Sequence, residues 1–380
     1  MKVMIVVTHL LGTGHLSRAL TLGRAFVEQG HDTFVISGGM PAPQLDTDGL
    51  TLFGLPPLRS DGTNFTRLLD QSGQAANAEY MQARSKALIQ AVTQFQPDVL
   101  ITELFPFGRR SLSDEFLAAL NAARQLPRPP VILASVRDIL APPSKPAKAV
   151  RADEIIAQNY DGVLVHSDPS VTPLNISWPV SDALATKLLY TGFVAPTPAK
   201  PHPDGDGAGE VLVSAGGGSV GQPIFHAAIE AARKMTNRRW RLLVGGQNAK
   251  ARIAELSEQA SDAPVVVEPV RPDFRQMLPL AAASVSMCGY NTAMDLLQSG
   301  TSSVLVPFDD GNEVEQTLRA TSLQQQPAFA VLRSADLTGE SLFQAVNIVI
   351  TGEPRAQMTR GFDGARRTVE IATELSEAKR

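Results

Sequence analysis

The chemically richest stretch runs Ser286-Met287-Cys288-Gly289-Tyr290-Asn291-Thr292-Ala293-Met294-Asp295, with Gly300, Val304-Leu305-Val306-Pro307-Phe308 and Glu315-Gln316 beyond it. An apolar run, a glycine, an amide, a hydroxyl and then an acid read as a buried strand, a tight turn and a helix start. Asn291 and Thr292 are the N-cap candidates and side-chain donors to phosphate oxygens. A helix start aims backbone N–H groups at an anion, and Asp295, about one turn further in, stands where it could meet a ribose diol. Together they point to half of a nucleotide-sugar site. More simply, Asn291 and Thr292 could only cap the helix, and Asp295 could only favour its dipole.

Two further glycine turns follow strand-like runs. Gly216-Gly217-Gly218-Ser219, after Glu210-Val211-Leu212-Val213-Ser214, could let a diphosphate approach the main chain at the head of a helix, or could be a bare tight turn. No Gly-Lys-Ser/Thr follows it, which excludes a phosphate-loop NTPase at this site. Gly12-Thr13-Gly14-His15-Leu16-Ser17-Arg18 opens a helix whose residues Leu16, Ala19, Leu20, Leu22, Gly23 and Phe26 recur with helical spacing. His15 could simply cap that helix. Arg18, one turn on, reads as a phosphate contact or as the partner of an acid.

The elements that must position these residues have the pattern of two doubly wound α/β domains. Residues 2–8 form a first buried strand, Gly30 closes the helix after it, and 31–36 open a second strand. Runs at 97–103, 130–138 and 162–166 are apolar and end in polar residues, as buried parallel strands do when their carboxyl ends open on a crevice. Glu103, Arg137 and Asp138 stand at such ends. Each could orient an acceptor or His15, and an ion pair on the surface or within the domain is an equal alternative.

Residues 195–209 are rich in Pro, Gly and Asp, a linker signature. The expected organisation is therefore an N-terminal domain over 1–195, a linker over 196–209 and a second domain over 210–350, facing each other across a cleft. Strands are expected in the second domain at 210–214, 241–244, 265–268, 283–288 and 303–306. A final helix is expected over about 355–374, within a tail 351–380 that could pack on either domain. Residues 50–53 read as a strand, about 75–95 as a helix, and 56–75 as irregular.

Composition narrows the function. At 380 residues the chain can bury two ordinary cores, and 43% hydrophobic with 19% charged content describes a soluble globular protein. A formal net charge of −4 disfavours a general nucleic-acid role. Cys288 is the single cysteine, so an intrachain disulfide or a cysteine-based metal cluster cannot form. His9, His166 and His226 lack ligand spacing, so no metal site and no cofactor are expected. The apolar run 3–7 is too short for a membrane span and lacks a cleavage site after it, so cytoplasmic residence with at most peripheral membrane contact is the default.

Met287 to Asp295 resembles the donor-binding signature of UDP-sugar glycosyltransferases of the GT-B fold, in which His-Cys-Gly-Trp-Asn-Ser leads to a ribose-gripping Glu. Gly289 and Asp295 stand six apart and Asp295 and Gly300 five apart, and Glu315-Gln316 falls where that family places a pair on the donor sugar. The spacing and the Gly216–Ser219 turn are similar to glycosyltransferase family 28, the N-acetylglucosaminyltransferases of peptidoglycan lipid synthesis. The resemblance is best over 2–38 and 210–320. Met287 replaces a histidine of the wider group, and Asp295 is one methylene shorter than the family's glutamate.

Gly12–Arg18 resembles the Gly-Thr-Gly-Gly-His turn of family 28 with one glycine fewer, and the Gly-x-Gly-His-x-x-Arg turn of the nucleotide-sugar hydrolase of pseudaminic acid synthesis. In both, the histidine is the implied base. A helix start would keep His15 neutral, as a proton acceptor must be. Glu103–Arg110 and Ser135–Asp138 resemble bacterial predicted glycosyltransferases. The resemblance implies an inverting, metal-independent transferase of a nucleotide-bound sugar, UDP-linked by expectation. His15 and Glu103 would lie on the catalytic side; Gly14, Arg18, Arg137 and Asp138 on the acceptor or phosphate side. Gly216, Gly217, Gly218, Ser219, Gly289, Tyr290, Asn291, Thr292, Asp295, Glu315 and Gln316 would hold the donor. The acceptor is unidentified, with a lipid-linked molecule or a saccharide as the options. The alternatives are a nucleotide-sugar hydrolase, an epimerase of the same fold and a non-catalytic nucleotide-sugar sensor.

Overall fold

A computed structural model describes residues 1–10, 13–43, 45–61, 64–215, 221–246, 248–309 and 314–379, the side chains of 64–66 excepted. Its contacts divide the chain into two units, Met1–Val194 with Asp363–Arg380, and Ala195–Phe362.

The first unit is built on strands β1 (Lys2–Val7), β2 (Asp32–Gly39), β3 (Thr51–Asp61), β4 (Asn64–Leu69), β5 (Val99–Glu103), β6 (Val131–Arg137), β7 (Gly162–His166) and β8 (Leu188–Tyr190). Their order is β4-β3-β2-β1-β5-β6-β7-β8, parallel except for the β3–β4 pair. Successive side chains of a strand face opposite layers, which here separates two cores. Val3, Ile5, Val7, Val99, Ile101, Leu133 and Leu164 lie in one core, and Met4, Val6, Leu100, Ile132 and Val165 in the other. Helix α1 (Gly14–Glu28) and the C-terminal helix Gly364–Ala378 pack together over the first core. Helices α2 (Ala78–Phe95), α3 (Ser113–Arg124), α4 (Pro146–Asn159) and α5 (Asp182–Ala185) contribute to the other.

Part of the stretch 56–75 is ordered as a hairpin where irregular chain is expected. Pro56 and Pro57, which have no backbone N–H to give a ladder, sit within β3. Arg84, fully buried on α2, donates to Pro56 O and, at 3.0 Å, to Gly38 O. It also forms a two-point pair with Glu115 at 2.9 Å. A side chain thus satisfies carbonyls where the prolines break the ladder.

The second unit contains β9 (Val211–Ser214), β10 (Trp240–Val244), β11 (Val265–Pro269), β12 (Ala283–Ser286), β13 (Ser303–Leu305) and β14 (Phe329–Val331), all parallel, in the order β11-β10-β9-β12-β13-β14. Its helices are α6 (Gln222–Lys234), α7 (Ala249–Gln259), α8 (Phe274–Met277), α9 (Tyr290–Ser299), α10 (Glu315–Leu323) and α11 (Gly339–Thr351). The order reverses between β9 and β12, which is where a doubly wound sheet opens a crevice at its strand ends. The carboxyl ends of β9 and β12 lie side by side there.

Residues 195–209, expected as a linker, carry polar groups that find distant partners on the second unit. Gln298 Nε2 donates to Pro196 O at 2.8 Å, Arg271 pairs with Asp206 at 2.6 Å, and His202 Nε2 meets Asp273 at 3.0 Å. The final helix begins at Gly364 rather than near Arg355. Arg355 instead stacks over Phe329 at 3.8 Å and donates to Leu296 O in the last turn of α9 and to Thr301 O just beyond it. Among the described residues no helix is long and apolar enough to cross a membrane.

Candidate active site

Strand parity explains the cluster in the first unit. Val99 and Ile101 face the core under α1, so Glu103 at the end of β5 faces α1 as well. The same parity carries Leu133 to Ser135 on β6 and Leu164 to His166 on β7. His15 and Arg18, three apart on α1, come down onto these strand ends.

His15 Nδ1 lies 2.8 Å from Glu103 Oε1, Arg18 Nη2 donates to the same oxygen, and Ser135 Oγ donates to Glu103 Oε2 at 2.6 Å. Burial opposes a charge on Glu103, but the Arg18 guanidinium and the bonds from His15 and Ser135 outweigh it and hold the carboxyl well below the usual carboxylate range. An ionised carboxylate only accepts, so the proton of a neutral His15 sits on Nδ1. Arg18 Nη2 also stands 3.2 Å from that Nδ1, a contact both groups owe to their shared acceptor. Burial, opposed by Glu103, lowers His15 to about 4. Its ring is 16% exposed, and Nε2 has no hydrogen-bond partner among the described residues. The arrangement presents a lone pair on a neutral, oriented imidazole, which is what a general base requires.

The other residues singled out on this unit lie near the same edge. Gly14 is the first residue of α1, and a Cβ there would meet nothing within 4 Å. Arg137 ends β6, half-buried, with Nε donating to Ile139 O at 3.2 Å, and Asp138 beside it is fully buried. Arg109 was not singled out. It is held by a bond from Nε to Thr8 O, and burial lowers its guanidinium to about 10.

On the second unit, β12 runs into Gly289, which takes the N-cap position of α9 with extended backbone. Asn291 and Thr292 fall inside the first turn, and no side chain caps this helix, so the N-cap expectation for those two residues is corrected. The reason is register: glycine already supplies the extended φ and ψ one residue ahead of Tyr290. Gly289 has no side chain with which to cap the first-turn N–H groups, and a Cβ on it would meet nothing within 4 Å. Asn291 is exposed and Thr292 half-buried.

Asp295 is 14% exposed, and its Oδ1 accepts from Arg275 Nε at 2.6 Å. Burial pushes its carboxyl up, with Arg275 opposing. Arg275 Nη2 also donates to Gln298 Oε1 and to Thr197 O, both at 2.9 Å. These side chains, with Ala199, Pro279 and Ser299, line a small recess.

Glu315 and Gln316 start α10. Gln316 Oε1 accepts from the N–H of Cys288 at 3.0 Å and of Phe308 at 3.2 Å. Glu315 Oε1 accepts from the buried Arg319, whose Nη1 donates to Cys288 O at 2.9 Å and whose guanidinium lies 5.8 Å from the Tyr290 ring. Both main-chain groups of Cys288 are therefore gripped by α10, which fixes the turn into α9. Gly216, Gly217, Gly218 and Ser219 lie outside the described residues, as does Gly12. Just after that turn Gly221 caps α6 at φ +95°, and a Cβ there would fall 2.3 Å from Ala215 Cβ.

Sequence reasoning missed Ser135, His166, Arg109, Arg275 and Arg319 as members of these clusters. Ser135 and His166 carried a signal, since both stand at the polar carboxyl ends of apolar runs. Arg275 and Arg319 carried none, because their partners come from other elements.

Residues 212–373 match the glycosyltransferase family 28 C-terminal domain. The chain is 27% identical over 261 residues to the UDP-N-acetylglucosamine--N-acetylmuramyl-(pentapeptide) pyrophosphoryl-undecaprenol N-acetylglucosamine transferase of Herminiimonas arsenicoxydans, covering 64% of this chain and 72% of that protein. The like-named protein of Lactiplantibacillus plantarum is 33% identical over 134 residues, 34% of this chain and 37% of its own length. In fold, the chain is similar to MurG of Acinetobacter baumannii, with a TM-score of 0.64 at 15% identity over 100% of this chain and 99% of that one. The calicheamicin glycosyltransferase CalG4 gives a TM-score of 0.64 at 16% identity over 99% and 98%.

Proposed function

From the premise that this chain is a GT-B glycosyltransferase with a family 28 C-terminal domain, we propose that it moves a sugar, with inversion and without a metal ion, from a UDP-sugar to an acceptor hydroxyl. UDP-N-acetylglucosamine, the donor in the relatives' name, is the first candidate. A lipid-linked saccharide is the first acceptor to try, on the same ground.

The observation that carries the reading is His15. Its Nδ1 is occupied by an ionised Glu103 and its Nε2 is unpartnered among the described residues. In the proposed step, His15 Nε2 takes the acceptor O–H proton as that oxygen bonds to the anomeric carbon. The bond from that carbon to the diphosphate oxygen breaks, and its electron pair leaves with UDP. Glu103 stabilises the imidazolium that forms and does not itself move a proton. On the second unit, the first turn of α9, with a glycine at its N-cap, and the head of α6 would hold the diphosphate and stabilise its developing charge. The open position at Gly289 lets a phosphate oxygen approach main-chain N–H groups, and Asp295 would accept from the ribose hydroxyls.

The experiment is turnover of a UDP-sugar panel in EDTA, with and without acceptor, reading UDP formation and the anomeric configuration of the product by NMR. Inverted product formed in EDTA supports the reading. A requirement for added metal, or retention of configuration, contradicts the mechanism, and equally fast sugar release with no acceptor makes water the acceptor.

A further inference from the structure

Behind the His15–Glu103 pair runs a buried hydrogen-bond chain that the proposed chemistry does not use. Ser135 Oγ reaches Glu103 Oε2 at 2.6 Å, His166 Nε2 lies 2.9 Å from Ser135 Oγ, and Thr191 Oγ1 lies 2.9 Å from His166 Nδ1. Ser135 and His166 are fully buried and Thr191 nearly so.

The charge on Glu103 sets the direction of every link. The carboxylate can only accept, so the single Ser135 hydroxyl proton goes to Oε2. Ser135 Oγ must then accept from His166, which places the ring proton on Nε2. The opposite tautomer would set two lone pairs against each other at 2.9 Å. With Nε2 protonated and the ring neutral, Nδ1 accepts from Thr191. Thr191 Oγ1 also stands 2.8 Å from Gly192 O, but donating there would leave Nδ1 buried and unpaired. Burial, together with the Arg18 charge, keeps His166 neutral by lowering it to about 3, with Glu103 opposing. The groups whose charge bears on His15 are Glu103 from β5, Arg18 on α1 and Arg109 from the loop after β5.

We infer that Ser135, His166 and Thr191 are positioning residues that hold Glu103 in the one orientation that keeps the His15 proton on Nδ1 and its Nε2 lone pair available. Apolar side chains would fill these buried sites with no polar group to desolvate. A polar chain in which every donor has an acceptor instead specifies a single geometry. The inference rests on His15 acting as the base in so far as it concerns turnover; the tautomers it specifies do not depend on that.

The first arm of the test is ¹⁵N NMR of histidine-labelled intact protein at pH 7. The expected spectrum has a neutral Nδ1–H tautomer for His15 and a neutral Nε2–H tautomer for His166. An Nδ1–H or charged His166 overturns the chain. The second arm is kinetic. Ser135→Ala and His166→Leu should lower kcat by about 10- to 100-fold, the range for residues that orient a functional imidazole. The donor KM should change less than about twofold, and His15 should lose its single tautomer. His166→Gln, whose amide offers an N–H in place of Nε2–H, should recover most of the rate. A Ser135→Ala enzyme with wild-type kcat and an unchanged His15 tautomer overturns the positioning role. If His15→Ala keeps its turnover, the base assignment fails by itself, and the spectra still judge the chain.

Discussion

Arg275 Nε donates to Asp295 Oδ1 at 2.6 Å, so the carboxylate proposed for the ribose is already neutralised before a nucleotide arrives. The second carboxylate oxygen is the one the pair leaves for a diol. A hydrogen bond to a charged group contributes about 1.5–3 kcal/mol. Asp295→Ala should therefore weaken UDP binding roughly 10- to 100-fold in calorimetry. Affinity within about twofold of wild type would remove Asp295 from the ribose site.

Gln316 makes a different prediction, because its side-chain oxygen serves two main-chain N–H groups. Gln316→Leu keeps the bulk and strands both donors. The expected loss of stability is about 1–3 kcal/mol in urea unfolding with an unchanged m-value. A change below about 0.5 kcal/mol, the range of an ordinary surface substitution, would mean that water replaces the amide there.

Arg84 and Glu115 are both buried and paired at two points. Removing one partner leaves a buried charge uncompensated, so Arg84→Met should cost about 3–5 kcal/mol. Arg84→Met combined with Glu115→Leu should recover much of that loss. Equal stability of the single and double variants would show that the carbonyls of Gly38 and Pro56 are the important partners instead.

The buried histidines give stability a pH dependence of definite sign. His15 at about 4 and His166 at about 3 both lie below the ordinary 6.5 of an unfolded histidine. Between these limits the unfolded chain binds more protons, so stability is full above about pH 6.5 and falls as pH drops. Glu103, held low, adds to the loss below its ordinary 4.5. The combined effect between pH 7 and pH 4 should be on the order of a few kcal/mol. Thermal unfolding across that range checks it, and replacing His166 with Gln should flatten the curve. A flat wild-type curve would contradict burial of neutral imidazoles.

The continuous apolar runs of β1, β5, β6, β7 and β9 make the two doubly wound sheets legible, since a strand buried on both faces reads as continuous Val, Ile and Leu. Strand parity alone turns Glu103 toward the face that α1 covers, where His15 and Arg18 lie three apart. What the sequence hides is any fit that depends on a distant partner. Pro56 and Pro57 have no N–H to offer β2, and Arg84 from α2 donates to Gly38 O on that strand. Residues 195–209 have the composition of a linker, which does not show that Arg271, Asp273 and Gln298 are their partners. Asn291 and Thr292 have capping chemistry, but helix register decides the cap, and Gly289 holds it.

The most direct test of the central claim is UDP formation from a UDP-sugar by wild type and His15→Ala, in EDTA, with UDP affinity measured alongside. The variant should lose roughly 10²- to 10⁴-fold in turnover, the contribution of a general base, while binding UDP as wild type does. Turnover within about tenfold of wild type would show that His15 is not the base.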